Sequence, residues 1–462
     1  MKKHAFIAGT LSVLLLSTPL FVSAHDELAD EGDGKWQIID GEWEDFNSVT
    51  KIEGSKNVKH LFEAAAVPWD GLDGINNRTA DLYAHKGYAY VATKAHNSDG
   101  VRVFDMKDPS NPLEVSAFAD DLPGTWQEKV VVKSVNTPHF KGDLAAVSVQ
   151  QWTRNTVGGG TLLYDVTDPL KPEKLGYWEL PASVSGTHEL YLTSQGNRTL
   201  LLTANPNANW FTHGEVEDFT ILDVTDPANP EVIFGWDPSE LEETYTGTFF
   251  RDADNVNRRA FAHSVITDTT GRYAYVSYWD MGTLIFDISS PENPELIGRT
   301  SFERDVQGAA HSTALAKGGT VLIENREVFN PDPVDQEFER GWGYTRIYDI
   351  KDKSNPVLLG DYRSFNSVTQ VKAGDRAPGR FTVHDPKVLG NTLYLSHYSD
   401  GVRMVDITNP SQPVEIGSYV PKNADIWGVF VDRNYILASD MQAGLKVLLK
   451  NNNSNSKHKL DR

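Results

Sequence analysis

The chain has no cysteine. It therefore contains no disulfide, no thiolate metal ligand, no thiol nucleophile and no lipoprotein attachment point. Beyond its first two dozen residues it has no apolar run long enough to span a bilayer. Positive charge is scarce: 43 Lys and Arg stand against 64 Asp and Glu, for a formal net charge of −21. Such a surface repels nucleic acid and anionic membranes; it attracts cations without naming one. A Gly-rich phosphate loop and a serine nucleophile elbow are also missing. What is left is 462 residues, ample for a large buried core.

The amino end reads as an export signal. Lys2 and Lys3 precede an apolar stretch that ends in Val22-Ser23-Ala24, a small-x-small cleavage pattern. An uncleaved anchor is the alternative, but the stretch is short and acidic sequence follows at once. The expected organisation is a signal peptide over residues 1–24, an acidic segment over 25–56, a folded domain over 57–450 and a disordered polar tail over 451–462. Removing the two lysines leaves 41 basic and 64 acidic side chains, a net charge of −23.

The folded region is built from repeats. Val103-Phe104-Asp105-Met106-Lys107-Asp108-Pro109 recurs around Asp165, Asp223, Asp287, Asp349 and Asp406, at steps of 60, 58, 64, 62 and 57 residues. A weaker seventh copy has Leu449 in place of the aspartate. In each unit a strand ends in Asp, a turn with Asp or Asn and two prolines follows, and a short apolar strand comes next. Asp can cap the turn amides, and Pro stops the ladder. Two more strands lie upstream. Four short strands per unit of about 40–60 residues is propeller-blade spacing. The pattern predicts an all-β, seven-bladed β-propeller with four-stranded blades. The seventh unit lacks its outer strand, so residues 57–62 are expected to supply it and close the ring. An array of β-sandwiches is the structural alternative.

The strand-Asp-Pro phrase resembles the LVIVD-repeat family of secreted bacterial proteins. Ser277-Tyr278-Trp279-Asp280-Met281-Gly282 and Asp400-Gly401-Val402-Arg403-Met404-Val405-Asp406 carry the resemblance, which covers roughly residues 57–450. It implies a secreted or surface propeller and little about chemistry.

Loop lengths give the ring a direction. Turns between first and second strands are short, whereas insertions at 205–218, 237–259, 325–344 and 366–380 fall on the face where inner strands begin. They carry Trp210, Phe211, Tyr245, Phe249, Phe250, Phe338 and Trp342, as packed lids would. Four consecutive inner strands start with histidine: His188, His263, His311 and His384. Ala80 or Asp81, Lys133 and Trp427 are read at the other three starts. Equivalent inner-strand positions share one axis, so the imidazoles should meet near the channel mouth. Imidazole nitrogen suits transition metals, here zinc, copper, iron or manganese. Glu189, Asp280, Glu324 and Asp385 are candidates to orient them. Two other readings stay open: each histidine bonds a neighbouring blade's backbone, or the four clamp an anion or substrate. An amino-terminal His25 chelating copper, a surface pair of His397 with Asp400, exposed His96 and His213, His139 in a first-to-second-strand turn on the opposite face, and a partial calcium loop at Asp252-Ala253-Asp254-Asn255 are weaker signals.

The functional classes are a secreted binding protein that holds an extracellular ligand or protein on its long-loop face, a metal-dependent extracellular enzyme, oxidative or hydrolytic, and a purely structural wall or spore component, for which no feature speaks. A monomer that neither spans a membrane nor binds nucleic acid is expected. If the leader is cleaved as read, amino-terminal sequencing of the exported protein returns His25-Asp26-Glu27; an intact Met1 would refute cleavage.

Overall fold

The computed structural model describes residues 53–63, 78–94, 100–151, 158–206, 217–241, 249–251, 257–300, 309–328, 342–370 and 379–451. The leader, most of the acidic segment and most of the tail lie outside these, as do the larger parts of the four insertions, His25, His96, His213 and the Asp252–Asn255 phrase. No helix among the described residues is long and apolar enough to cross a membrane.

The repeat unit folds as expected. The chain forms seven antiparallel sheets arranged as propeller blades, each strand pairing with its successor from the inner to the outer edge. Inner strands run over Arg78–His85, Val130–Asn136, Glu189–Gln195, Ser264–Thr267, Ala310–Ala316, Pro386–Leu389 and Ile426–Asp432. Each touches the next around the ring, and the seventh touches the first. The outer strand of blade seven is Val58–Glu63, paired with Gly444–Lys450. Blade six gains a fifth strand, Gly54–Lys56. Two small additions stand on the insertions: a hairpin of Phe249–Arg251 with Asn257–Arg259, and the helix Phe365–Thr369.

The recurring phrase has a mechanical explanation. In all six copies the aspartate accepts the backbone N–H two residues on, at 2.7–2.9 Å, as in Asp287 with Ser289 and Asp406 with Thr408. Just before it, each third strand meets a bulge in the fourth, as between Ile285 and Phe286. The bulge turns the outer strand toward the next blade. At Gly176 and Gly298 an added Cβ would lie 2.2 and 2.1 Å from the carbonyl oxygens of Pro227 and Lys353 in the neighbouring blade's turn. Glycine is needed there because another backbone comes that close. Apolar side chains fill the seams between blades, for example Leu200, Phe219 and Ile221 against Val276, Leu284 and Phe286.

Closure by Val58–Glu63 carries a prediction. Val58 is buried against Tyr394, Met404 and Leu448, whereas Lys59 is exposed. Val58→Asp should destabilise the fold by about 2–4 kcal/mol, since it buries an unpaired carboxylate. Lys59→Asp should change it by less than about 0.5 kcal/mol. Denaturant unfolding measures both; equal effects would refute the clasp.

Candidate metal centre at the channel mouth

Strand pairing makes Ala80, Glu128, His188, His263, His311, His384 and Trp427 equivalent positions around the axis. The four histidines therefore occupy blades three to six in a continuous arc. His311 and Trp427 each sit where the inner strand's register shifts, so a bulge turns these side chains. Ring centroids are 4.4 Å apart for His188 and His263, 4.0 Å for His263 and His311, and 4.4 Å for His311 and His384. The expected convergence is present in the geometry.

The hydrogen-bonding atoms of the arc are ordered. His188 Nε2 lies 3.0 Å from His263 Nε2. On its other side, His188 Nδ1 lies 2.5 Å from Glu128 Oε2 and 2.7 Å from Gln150 Oε1. His263 Nδ1 faces the carbonyl oxygen of His311 at 3.2 Å. The carbonyl of His384 accepts from Ser312 and Asn325 and that of Trp427 from Ser396, and Nδ1 of His311 and of His384 is buried with no hydrogen-bond partner among the described residues. Burial first, then the neighbouring imidazoles, holds His263, His311 and His384 well below the ordinary histidine pKa. They are neutral at pH 7, the form that binds metal.

A carboxylate joins the arc. Glu327 Oε2 lies 3.4 Å from His311 Nε2, and one ligand atom from each of His263, His311 and Glu327 fits within a mutual 4.8 Å. Tyr398 donates its phenol hydrogen to Glu327 Oε1 at 2.6 Å. Burial pushes the Glu327 carboxyl up to about 8, against the pull of the Tyr398 hydrogen bond. Aromatic rings surround the cluster: Trp279 stacks on Phe261 and packs on His263 at 5.2 Å, and Trp427 packs on His384 at 4.7 Å.

The four carboxylates expected to orient the histidines have other partners. Asp280 accepts the backbone N–H groups of Arg259 and Ala309, and Glu324 accepts hydroxyl hydrogens from Thr283 and Thr300 of blade four. Glu189 meets Lys129 at 3.1 Å, and Asp385 meets Lys387. These last two belong to the ring one residue further along, where Lys129 also holds Asp81 at 2.6 Å. The groups that face the histidines are instead Glu128, Gln150, Glu327 and the carbonyl of His311. Lys133 is likewise not the blade-two equivalent of the histidines. That inner strand starts at Val130, which puts Glu128 at the mouth and Lys133 in mid-strand. His397 and Asp400 are no surface pair. Both are wholly buried, because Ser364 and Asn366, at the start of the short helix, donate to Asp400. His139 lies in the turn between the first two strands of blade two, as expected, and is exposed.

These features define the class: a seven-bladed β-propeller with an imidazole-lined polar mouth at one end of its axis. The chain carries LVIVD repeats, the family model matching residues 78–120, 268–301 and 382–420. These matches fall in blades one, four and six. A search of curated proteins found no match. Among solved structures, the computationally designed Ika8 protein is similar over 84% of this chain and 99% of its own, at 10% identity and a TM-score of 0.47.

The raised Glu327 carboxyl has a measurable consequence for metal-free protein. An unfolded Glu ionises near 4.3, whereas folded Glu327 ionises at about 8. The unfolded state therefore binds fewer protons between these values, and stability falls as pH rises through that window. Glu327→Gln should flatten the decline between pH 5 and 8 in chemical unfolding. An unchanged slope would show that Glu327 is not its source.

Proposed function

We propose that this protein is exported and holds one transition-metal ion at the channel mouth, presenting it to an extracellular ligand on the long-loop face. His188, His263, His311 and Glu327 would be its ligands, with His384 completing the arc. The observation that carries the reading is the 3.0 Å approach of two Nε2 atoms whose opposite nitrogens both face acceptors. If each Nδ1 carries its ring's hydrogen, two lone pairs point at the same place. A cation there relieves the conflict. Two ligand atoms 3.0 Å apart, each about 2.1 Å from one ion, subtend about 90°. Right-angle ligation by nitrogen and carboxylate suits iron, copper or manganese with positions left open, and less well a closed tetrahedral zinc.

A metal-dependent enzyme, oxidative or hydrolytic, is the second reading. The buried Tyr398–Glu327–His311 chain favours it, since it would place a phenol hydrogen-bond donor against a carboxylate ligand of the ion. The competing structural reading draws on the contacts from imidazole to neighbouring carbonyl. Those contacts also fix the tautomer a metal ligand needs, so they do not separate the two.

Metal content separates them. Protein purified without added nickel should carry close to one equivalent of a transition metal by elemental analysis. His263→Ala and His311→Ala should lose it while keeping the β-sheet circular dichroism spectrum. Less than about a tenth of an equivalent in the parent protein, after incubation with each candidate ion, would overturn the proposal.

A further inference from the structure

The imidazole arc covers four of the seven blades, and the rest of the mouth has a different chemistry. Blade one contributes only the small, buried Ala80 at the histidine position. Lys94 stands at the end of the second strand of blade one. Its ammonium lies 4.4 Å from the ring centre of Trp126 and 4.6 Å from that of Trp427. These two indoles flank the ends of the arc, Trp126 standing 6.1 Å from His188 and Trp427 standing 4.7 Å from His384. Trp126 is held there by a two-residue strand, Thr125–Trp126, paired with Gln150 and Gln151. In a ring of seven, blade one faces blades four and five, which carry His263, His311 and Glu327. A cation held between two indoles therefore stands across the mouth from the imidazoles and the carboxylate.

We infer that the ligand presented to the metal is a small carboxylate, with one oxygen on the ion and the other on the Lys94 ammonium. This rests on the metal reading above. Two fixed positive centres on opposite sides of a partly dry mouth suit an anion whose negative atoms are spread over a short span, as in a carboxylate. The flanking indoles keep the ammonium aimed and displace its water, which strengthens its pull on an anion. Its three N–H donors allow it to serve a ligand alongside another acceptor. The aromatic rim adds a preference. Trp279, Phe261 and Trp427 pack beside the imidazoles, so an aryl carboxylate should bind more tightly than acetate. Trp279 holds its position at a backbone φ of +24°, a conformation a bulky residue adopts only under constraint.

The experiment uses cobalt(II)-loaded protein, with metal content measured in every sample and the visible spectrum titrated with sodium benzoate, then with sodium acetate. The parent protein should respond saturably, more tightly to benzoate. Lys94→Met should bind cobalt as before, melt at the parent temperature and bind benzoate about tenfold or more weakly. Lys94→Arg should restore most of the affinity. A parent protein that binds one cobalt yet shows no spectral response to benzoate overturns this inference and leaves the metal reading standing. So does a Lys94→Met variant with parental benzoate affinity. A parent that takes up no cobalt overturns both.

Discussion

A ring of sheets has one axis only if the last sheet meets the first, and everything at the mouth depends on that closure. Blade seven ends its chain one strand short, and Val58–Glu63 supplies the missing edge against Gly444–Lys450. With the ring shut, the seven inner strands start around a common line. Any residue type repeated at that register is then driven into mutual contact, whatever its own preference. Four histidines spaced by 48 to 75 residues in sequence pack with ring centroids 4.0–4.4 Å apart for this reason. The inner strands supply the positions, and the bulges at His311 and Trp427 supply the aim.

Closure also makes the mouth expensive in free energy. Glu128, Glu327 and His311 are all but inaccessible to water, and Lys129, Asp81 and Glu189 form a second charged layer directly beneath. Burying ionisable groups costs more than hydrogen bonds between them return, and apolar side chains would fill the same space with less penalty. The opposite end of each blade shows the cheaper solution. There the repeat aspartates sit at the surface, cap turn amides and pair with Arg198 or Arg272. The molecule thus keeps its structural carboxylates wet and its imidazole-facing carboxylates dry. A purely mechanical role for the mouth does not explain why the dry set was placed there.

The fold was legible because its signals are local and repeated. Asp287 caps the equivalent amide to Asp105 and Asp406, so one phrase read six times, with a weaker seventh copy at Leu449, fixes the blade count. The strand borrowed from the amino end was legible by subtraction, from the missing partner of the seventh unit. The histidines could be read because they fall at one register and differ from their neighbours. Their partners could not. Glu327, Tyr398, Gln150 and Lys94 come from the ends of second strands, where the sequence differs from blade to blade and the loops begin. Glu324 and Asp280 end second strands on the same face, but Glu324 points into the seam with blade four and Asp280 is held by two backbone amides. In blade two the run Val130-Val131-Val132 hides where the strand starts, and with it the position of Glu128. His397 looks like a loop residue until the helix over Phe365–Thr369 folds onto Asp400.

The division of the mouth into two chemistries follows from this history of register. Duplication of a blade copies its inner-strand start, so identical residues in four consecutive blades need no explanation beyond descent. The side chains that differ between blades do need one. Glu128, Glu327, Tyr398 and Lys94 each occur once around the ring, yet each approaches the shared histidine set or stands opposite it. A repeat that only held neighbouring blades together would place equivalent groups at equivalent seams. Here the second-strand ends place a carboxylate, a phenol and an ammonium at unequal positions about one centre. That asymmetry is what a bound ion with a liganded side and an open side would require, and it is why the inference about Lys94 follows from the same geometry as the one about the metal.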